Sequence, residues 1–383
     1  MIRLSRAARA AIAIFPVQAA LGVGYTWGAL APFALSQTHW TTLQVALVFS
    51  STPAGYGIGS VLGGRLADRF PPRRLLWFIW SVVAFGFAVA FTLPSPVTFF
   101  LFYGMLATGF GGGFSMAVSI SGLRQVFPRR FGAAGGALSA MFASSALVWV
   151  PVVTVLAPSL GWVHALALTA GLLLAAAGLF LLVLPPLPKP PLHAEEAHPP
   201  TLSLLSRPLV WSSFLVELLA TPVGSYSFAH VGRLAVADGL SIGVGSAAVA
   251  AFVAGNGIGR LIGGAASDRF GNRPVMAAML VCSIGAAVLV AFAATPPELL
   301  AGALLAGIGF GVPAGIMPRV AAEAARDAPG TAFGLIFIGY TVGAFSGPLL
   351  GELLPAGGSG FLAIALVPVA GLWALALRSR LSR

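Results

Sequence analysis

The sequence predicts an all-α membrane protein of twelve transmembrane helices, laid out as two parallel six-helix repeats. Three observations lead there. Of 383 residues, 58% are hydrophobic and 8% charged, with a mean hydropathy of +0.95. A soluble domain carries about 25% charged residues, so this chain lacks the charge to cover a water-facing surface. Apolar runs long enough to cross a ~30 Å hydrocarbon core, which takes about 20 helical residues, follow one another with short polar breaks. Such runs suit helices rather than the ~10-residue alternating strands of an outer-membrane barrel. Finally, a glycine-rich stretch near residue 55 recurs 200 residues later.

Helix 1 is expected over 10–35. The segment MIRLSRAAR precedes an apolar run of about 25 residues, longer than the 7–15 of a signal peptide, so it reads as a span. Helix 2 (42–66) carries Gly55, Gly59 and Gly63 at the spacing that permits close helix approach. Helix 3 covers 74–93 and helix 4 covers 97–122. The run GFGGGF at 109–114 lacks the strand-turn-helix setting and Lys-Ser/Thr of a phosphate loop, so packing or hinging is expected there, as for GIGFG at 307–311. Helices 5 (131–157) and 6 (161–184) complete the first half. The polar, proline-rich stretch 184–208 holds the only lysine, Lys189, and divides the chain into a bundle over 1–184, a linker over 185–208 and a bundle over 209–383. Helices 7 to 12 follow at 209–236, 242–267, 274–294, 298–322, 330–354 and 359–378. The repeat supports this layout: GYGIGSVLGGRLADRF (55–70) and GNGIGRLIGGAASDRF (255–270) match at nine of sixteen positions, and Gly109-Phe110-Gly111 pairs with Gly309-Phe310-Gly311 at the same offset.

The net charge of +11 reports topology rather than a nucleic-acid partner. With the N-terminus inside, 19 of the 21 Lys/Arg fall at the cytoplasmic end or in cytoplasmic loops; only Arg233 lies near the outer face and only Arg260 well inside a span. Both termini are therefore expected in the cytoplasm, and the chain in the plasma (inner) membrane. The single cysteine, Cys282, excludes an intramolecular disulfide. His193 and His198 in HAEEAH depart from the spacing that puts two metal ligands on one helical face. No metal and no cofactor is expected.

The element Gly64…Asp68-Arg69-Phe70-Pro71-Pro72-Arg73-Arg74, repeated as Gly264…Asp268-Arg269-Phe270-Gly271-Asn272-Arg273, resembles the signature of the major facilitator superfamily, with Pro71 in place of a glycine. The resemblance spans the chain. It implies a secondary transporter working by alternating access, and charges at Asp68, Arg69, Asp268 and Arg269 that hold the cytoplasmic side closed. Within that superfamily, GVGYTWGALAP (22–32), LRQVFPRRFGAAGGALSA (123–140), HVGRLAVADGLS (230–241) and FGLIFIGYTVGAFSGP (333–348) are similar to the oxalate:formate antiporter and monocarboxylate transporter branch.

Arg260 carries the chemical argument. A guanidinium inside a span costs about 2.5–3.5 kcal/mol on insertion scales, so it persists where it lines a cavity or has a partner. Its repeat equivalent is Ser60, and Asn256 lies one turn away where the first half has Tyr56. A substrate carboxylate fits a planar fork, and the resemblance implies that role for an arginine at this place. The competing reading is a structural ion pair with Glu217. Glu217 is also the acid lying well within a span, and hence the candidate to carry a coupling proton. The resembled oxalate exchanger type adds a helix 11 lysine, whereas Tyr340 stands near that place here. One intramembrane cation suits a monoanion such as lactate or pyruvate. Tyr25, Trp27, Phe337 and Tyr340 are candidates for the apolar wall, since binding pockets are mostly apolar with few polar anchors.

No ATP-binding motif and no converging catalytic groups are present, which argues against a pump or a membrane-embedded enzyme. The expected partners are a small organic anion, protons and the lipid bilayer, with no nucleic acid and a monomeric state. A proton-driven exporter of drugs or metabolites is the alternative.

Overall fold

The computed structural model describes residues 5–187, 200–351 and 353–381. Lys189, His193, His198 and Glu352 lie outside the described residues, as do the extreme terminal arginines Arg3 and Arg383. Among the described residues, twelve helices are long and apolar enough to cross a membrane, from Ala7–Ala31 to Gly358–Leu377, and each overlaps its sequence-based counterpart. Two compact units divide the chain: residues 1–128 with 141–198, and residues 129–140 with 199–383. The start of helix 5, which a cut at the linker assigns to the first bundle, packs with the second unit.

Several spans are interrupted in ways that hydropathy does not reveal. Helix 1 runs Arg6–Leu21, tightens into a 3-10 turn at Gly22–Thr26 and resumes as Trp27–Gln37. Helix 7 breaks between Pro208–Ala220 and Pro222–Ala237, because Pro222 has no N–H to continue the ladder. Helix 5 is split into Phe131–Ser144 and Ala146–Leu160. Helix 8, by contrast, is one unbroken rod, Ile242–Phe270. Helix 10 is Pro296–Ala324, opened by a Thr295/Glu298 capping box. Helix 11 is Pro329–Gly351.

In the first unit, helix 2 (Thr42–Ala67) lies directly on the backbone of helix 4. A Cβ on Gly55 would fall 2.1 Å from the Met105 carbonyl, and one on Gly59 would fall 2.2 Å from that of Phe110. The second unit repeats the motif: Gly255 meets the Leu304 carbonyl at 2.2 Å and Gly259 that of Ile308 at 2.3 Å. The partners are thus five residues apart in one unit and four in the other. The reason is local: Phe99–Phe110 is wound as a π-helix, with a wider turn that consumes extra residues. The offset-200 pairing of Gly109-Phe110-Gly111 with Gly309-Phe310-Gly311 is therefore out of register at this contact, a correction that sequence identity could not supply.

The two copies of the charged turn also differ. Gly271 takes φ +84° between helices 8 and 9, which lets helix 8 continue through Phe270. Pro71, held at φ −60°, cannot adopt that conformation, and helix 2 ends at Ala67 with Asp68 as its cap. Asp68 is buried.

Candidate functional site

The second unit gathers the polar groups. Arg260 lies on helix 8 and is 5% exposed. Its backbone is clasped on two sides: a Cβ on Gly136 of helix 5 would fall 2.4 Å from the Arg260 carbonyl, and one on Gly315 of helix 10 would fall 2.3 Å from it. Nε donates to Asn256 Oδ1 at 3.0 Å, one turn back on the same helix. Nη1 donates to both oxygens of Ser139, the hydroxyl at 2.7 Å and the carbonyl at 3.1 Å. Among the described residues Nη2 has no acceptor, and no carboxylate stands within ion-pair distance of the guanidinium. Because a guanidinium only donates, the Asn256 oxygen must face Arg260, which turns the amide's N–H groups away from it. This locus offers donors and a fixed positive charge.

Glu217 is fully buried in the last turn of the first segment of helix 7. Thr221, at the break, donates to the Glu217 carbonyl at 3.1 Å and across to the Tyr340 carbonyl of helix 11 at 3.2 Å. Tyr340 is itself buried, and its ring stacks on Phe337 with centroids 5.0 Å apart. The aromatic row continues through Phe310 (5.5 Å from Tyr340) to Phe252 (5.8 Å from Phe310), one turn before Asn256.

At the basic end, Asp268 binds the first turn of helix 5. Its Oδ1 accepts from Gly132 N–H at 2.9 Å and from Arg319 Nη1 at 3.0 Å, and its Oδ2 accepts from Ala133 N–H at 2.8 Å. An anion at a helix N-terminus meets unsatisfied amides and the positive end of the dipole. Arg269 points elsewhere, over the Phe270 ring at 5.3 Å. Arg207, just before helix 7, forms a two-pronged ion pair with Asp327, between helices 10 and 11, its Nη2 lying 2.6 Å from Oδ2.

In the first unit, the positions equivalent to Asn256 and Arg260 hold Tyr56, which packs on Phe142 at 5.9 Å, and buried Ser60. The donor cluster thus belongs to the second repeat. Trp27 is 2% exposed, donates to the Val45 carbonyl at 3.0 Å, and sits among Phe99, Tyr103 and Trp162. It is committed to packing inside the first unit, which differs from its expected place on a pocket wall. Tyr25 lies on the turn Gly22–Thr26, with its side chain outside the described set. Among the described residues, the buried Nε of Arg69 has no hydrogen-bond partner.

Sequence reasoning missed Ser139 and Arg319 as partners. Ser139 lies 121 residues from Arg260 inside a run of small residues, and Arg319 lies 51 residues from Asp268. Neither spacing carries a local signal.

Comparison with known proteins agrees with this architecture. The chain is 30% identical over 371 residues to the 3-(3-hydroxy-phenyl)propionate transporter of Escherichia coli (strain K12), covering 89% of this chain and 86% of the relative. It is 27% identical over 299 residues to the enterobactin exporter of Salmonella typhimurium (strain LT2), covering 72% and 68%. A Bacillus subtilis relative is matched over 125 residues, 27% of its length, at 32% identity. In fold, the chain is similar to the E. coli fucose:proton symporter, with a TM-score of 0.70 at 17% sequence identity over 95% of this chain and 97% of that one. The family described as Major Facilitator Superfamily matches residues 12–236 and 231–382. Twelve spans, the duplicated charged turn and a family match over nearly the whole length agree, and the chain belongs to the Major Facilitator Superfamily of membrane transporters.

Proposed function

We propose that this transporter moves a small organic monocarboxylate by alternating access, with Arg260 as the carboxylate anchor. The observation that carries the reading is the buried guanidinium with a donor nitrogen to spare, beside a second donor on Asn256 and without a carboxylate at ion-pair distance among the described residues. An intramembrane charge in that state fits a substrate of opposite sign. The relative that carries 3-(3-hydroxy-phenyl)propionate, an aromatic monocarboxylate, supports the substrate class. The row Phe252–Phe310–Tyr340–Phe337 supplies aromatic surface for an apolar substrate body, so the range extends from lactate and pyruvate to arylpropionates. Tyr25 stays a candidate for the wall, whereas Trp27 packs inside the first unit and is not part of it in this reading.

Glu217 carries the coupling proton, by symport or exchange. Asp68, Arg69, Asp268 and Arg269 hold the cytoplasmic gate, where the Asp268 contacts to helix 5 would act as a latch. The carrier works as a monomer in the plasma membrane with both termini cytoplasmic, as two six-helix bundles joined by the 185–208 linker. Export of a larger metabolite is the second reading, favoured by the similarity to the enterobactin exporter.

Binding of lactate and 3-phenylpropionate to purified wild type, Arg260→Ala and Arg260→Lys tests the anchor. Loss of charge-assisted hydrogen bonds worth about 1.5–3 kcal/mol weakens Arg260→Ala by roughly 10- to 150-fold. Arg260→Lys keeps the charge but not the fork and binds poorly. Wild-type affinity in a monodisperse Arg260→Ala protein would refute the reading.

A further inference from the structure

Resting on that reading of Arg260, we propose that Ser139 is a place-holder for the substrate carboxylate: it occupies the guanidinium in the empty carrier, and the incoming anion binds by displacing it. A carboxylate engages a guanidinium strongly through two nitrogens, either Nη1 with Nη2 or Nε with Nη2. Here the side-on edge has given Nε to Asn256, and the end-on edge has given Nη1 to both oxygens of Ser139. Only Nη2 remains, so neither edge is complete until one partner leaves.

The partner that leaves is Ser139. Asn256 is on the same helical face as Arg260, four residues away, and keeps its place however the helices move. Ser139 comes from helix 5 and offers a hydroxyl and a carbonyl, both neutral acceptors. An ionised carboxylate makes shorter bonds to a guanidinium, roughly twice as strong as neutral ones. The two Ser139 oxygens on one nitrogen already imitate the two oxygens of the substrate group. A neutral amide or alcohol has no such advantage over Ser139, so the exchange selects for charge.

The displacement also ties occupancy to the seat of helix 5. That helix start is held at two levels within the second unit: Gly132 and Ala133 on Asp268, and Ser139 on Arg260. Between the two levels, a Cβ on Gly136 would fall 3.1 Å from the Gly264 Cα. A bound carboxylate releases the upper level and leaves the lower one intact. Substrate and helix 5 therefore compete for one group, which is the differential contact that a ligand needs to shift a conformational equilibrium.

The test measures equilibrium binding of 3-phenylpropionate to wild type, Ser139→Ala, Ser139→Asp and Arg260→Ala, each checked for monodispersity and thermal stability. Ser139→Ala removes the competing hydroxyl and retains the carbonyl, so affinity rises about three- to tenfold, the upper figure being 1.4 kcal/mol. Ser139→Asp supplies a tethered carboxylate to Arg260, so binding is lost while the melting temperature stays at or above that of the wild type. Unchanged or weaker binding by Ser139→Ala, with Arg260→Ala inactive, overturns the place-holder and leaves the anchor standing. Wild-type binding by Arg260→Ala overturns the anchor itself. If Ser139→Ala is poorly behaved, retained binding by a stable Ser139→Asp protein overturns the place-holder independently.

Discussion

Replacing Asp268 by Asn probes how helix 5 is held, and the structure sets the scale of the loss. The carboxylate accepts two backbone N–H bonds from the first turn of helix 5, one on each oxygen, and a third bond from Arg319. An Asn side chain has one acceptor oxygen; its NH2 group faces whichever amide the oxygen does not serve. One amide bond to a charged acceptor is therefore lost, worth about 1.5–3 kcal/mol. Loss of negative charge at a helix N-terminus adds about 0.3–1 kcal/mol. The Arg319 arm adds little, because the Arg319 side chain is 35% exposed and solvent screens such pairs to about 0–1 kcal/mol. The total is about 2–4 kcal/mol. For a cooperative unit of 150–250 residues this lowers Tm by roughly 4–15 °C. The assay is thermal unfolding of purified protein in one detergent at one scan rate, with Arg319→Gln as the control, which removes only the screened arm. An Asp268→Asn protein that melts within error of Arg319→Gln would refute the reasoning, since the amide bonds would then contribute nothing.

If Glu217 carries the coupling proton, Glu217→Gln abolishes pH-gradient-driven accumulation while counterflow exchange of labelled substrate continues; full accumulation by the variant removes Glu217 from the coupling step. The Arg207–Asp327 pair predicts a pH-dependent stability increment, because the guanidinium holds the Asp327 carboxyl below the usual carboxylate range. Its contribution is present above the unfolded value of about 3.9 and fades as pH falls through the lower folded value. Asp327→Asn then melts slightly below the wild type at pH 7, by less than about 1 kcal/mol for side chains this exposed, and the gap closes as pH falls through the lowered folded value. A gap that persists at acid pH would assign the effect to something other than this charge.

Legibility tracks the range of the physical interaction. The twelve spans are local, since each is a run of residues whose transfer into hydrocarbon is favourable one by one, and hydropathy finds them within a few residues. The glycine rows of helices 2 and 8 are nearly as legible, because close backbone approach demands the absence of a Cβ on successive turns. The π-helical winding of Phe99–Phe110 left no compositional mark, because it changes how many residues fill a turn without changing which residues they are. The broken spans show the same limit. Pro222 ends a helical segment, whereas Pro313 and Pro318 lie inside an uninterrupted helix 10, so a proline alone does not decide whether a span breaks.

At the candidate site, the charge itself was legible and its partners were not. Arg260 stands out in any reading because an unexplained cation inside a span is costly, and Asn256 follows from helical spacing. Ser139 does not stand out: serine in a membrane helix is common and satisfies itself on the preceding turn. Its significance exists only once helix 5 is seated, when Gly136 lets the two backbones meet and carries the Ser139 oxygens to within 3.1 Å of Nη1. The small residue that permits the approach and the polar residue that uses it are three positions apart, one turn of the same helix. A pattern of that kind, a glycine followed by a hydroxyl one turn later and facing a lone intramembrane arginine, is therefore readable as a pair where neither residue is readable alone. The same logic explains Asp268, whose carboxylate reaches the helix 5 amides because a Cβ on Gly132 would stand 2.5 Å from the Gly264 carbonyl, space that only glycine leaves open.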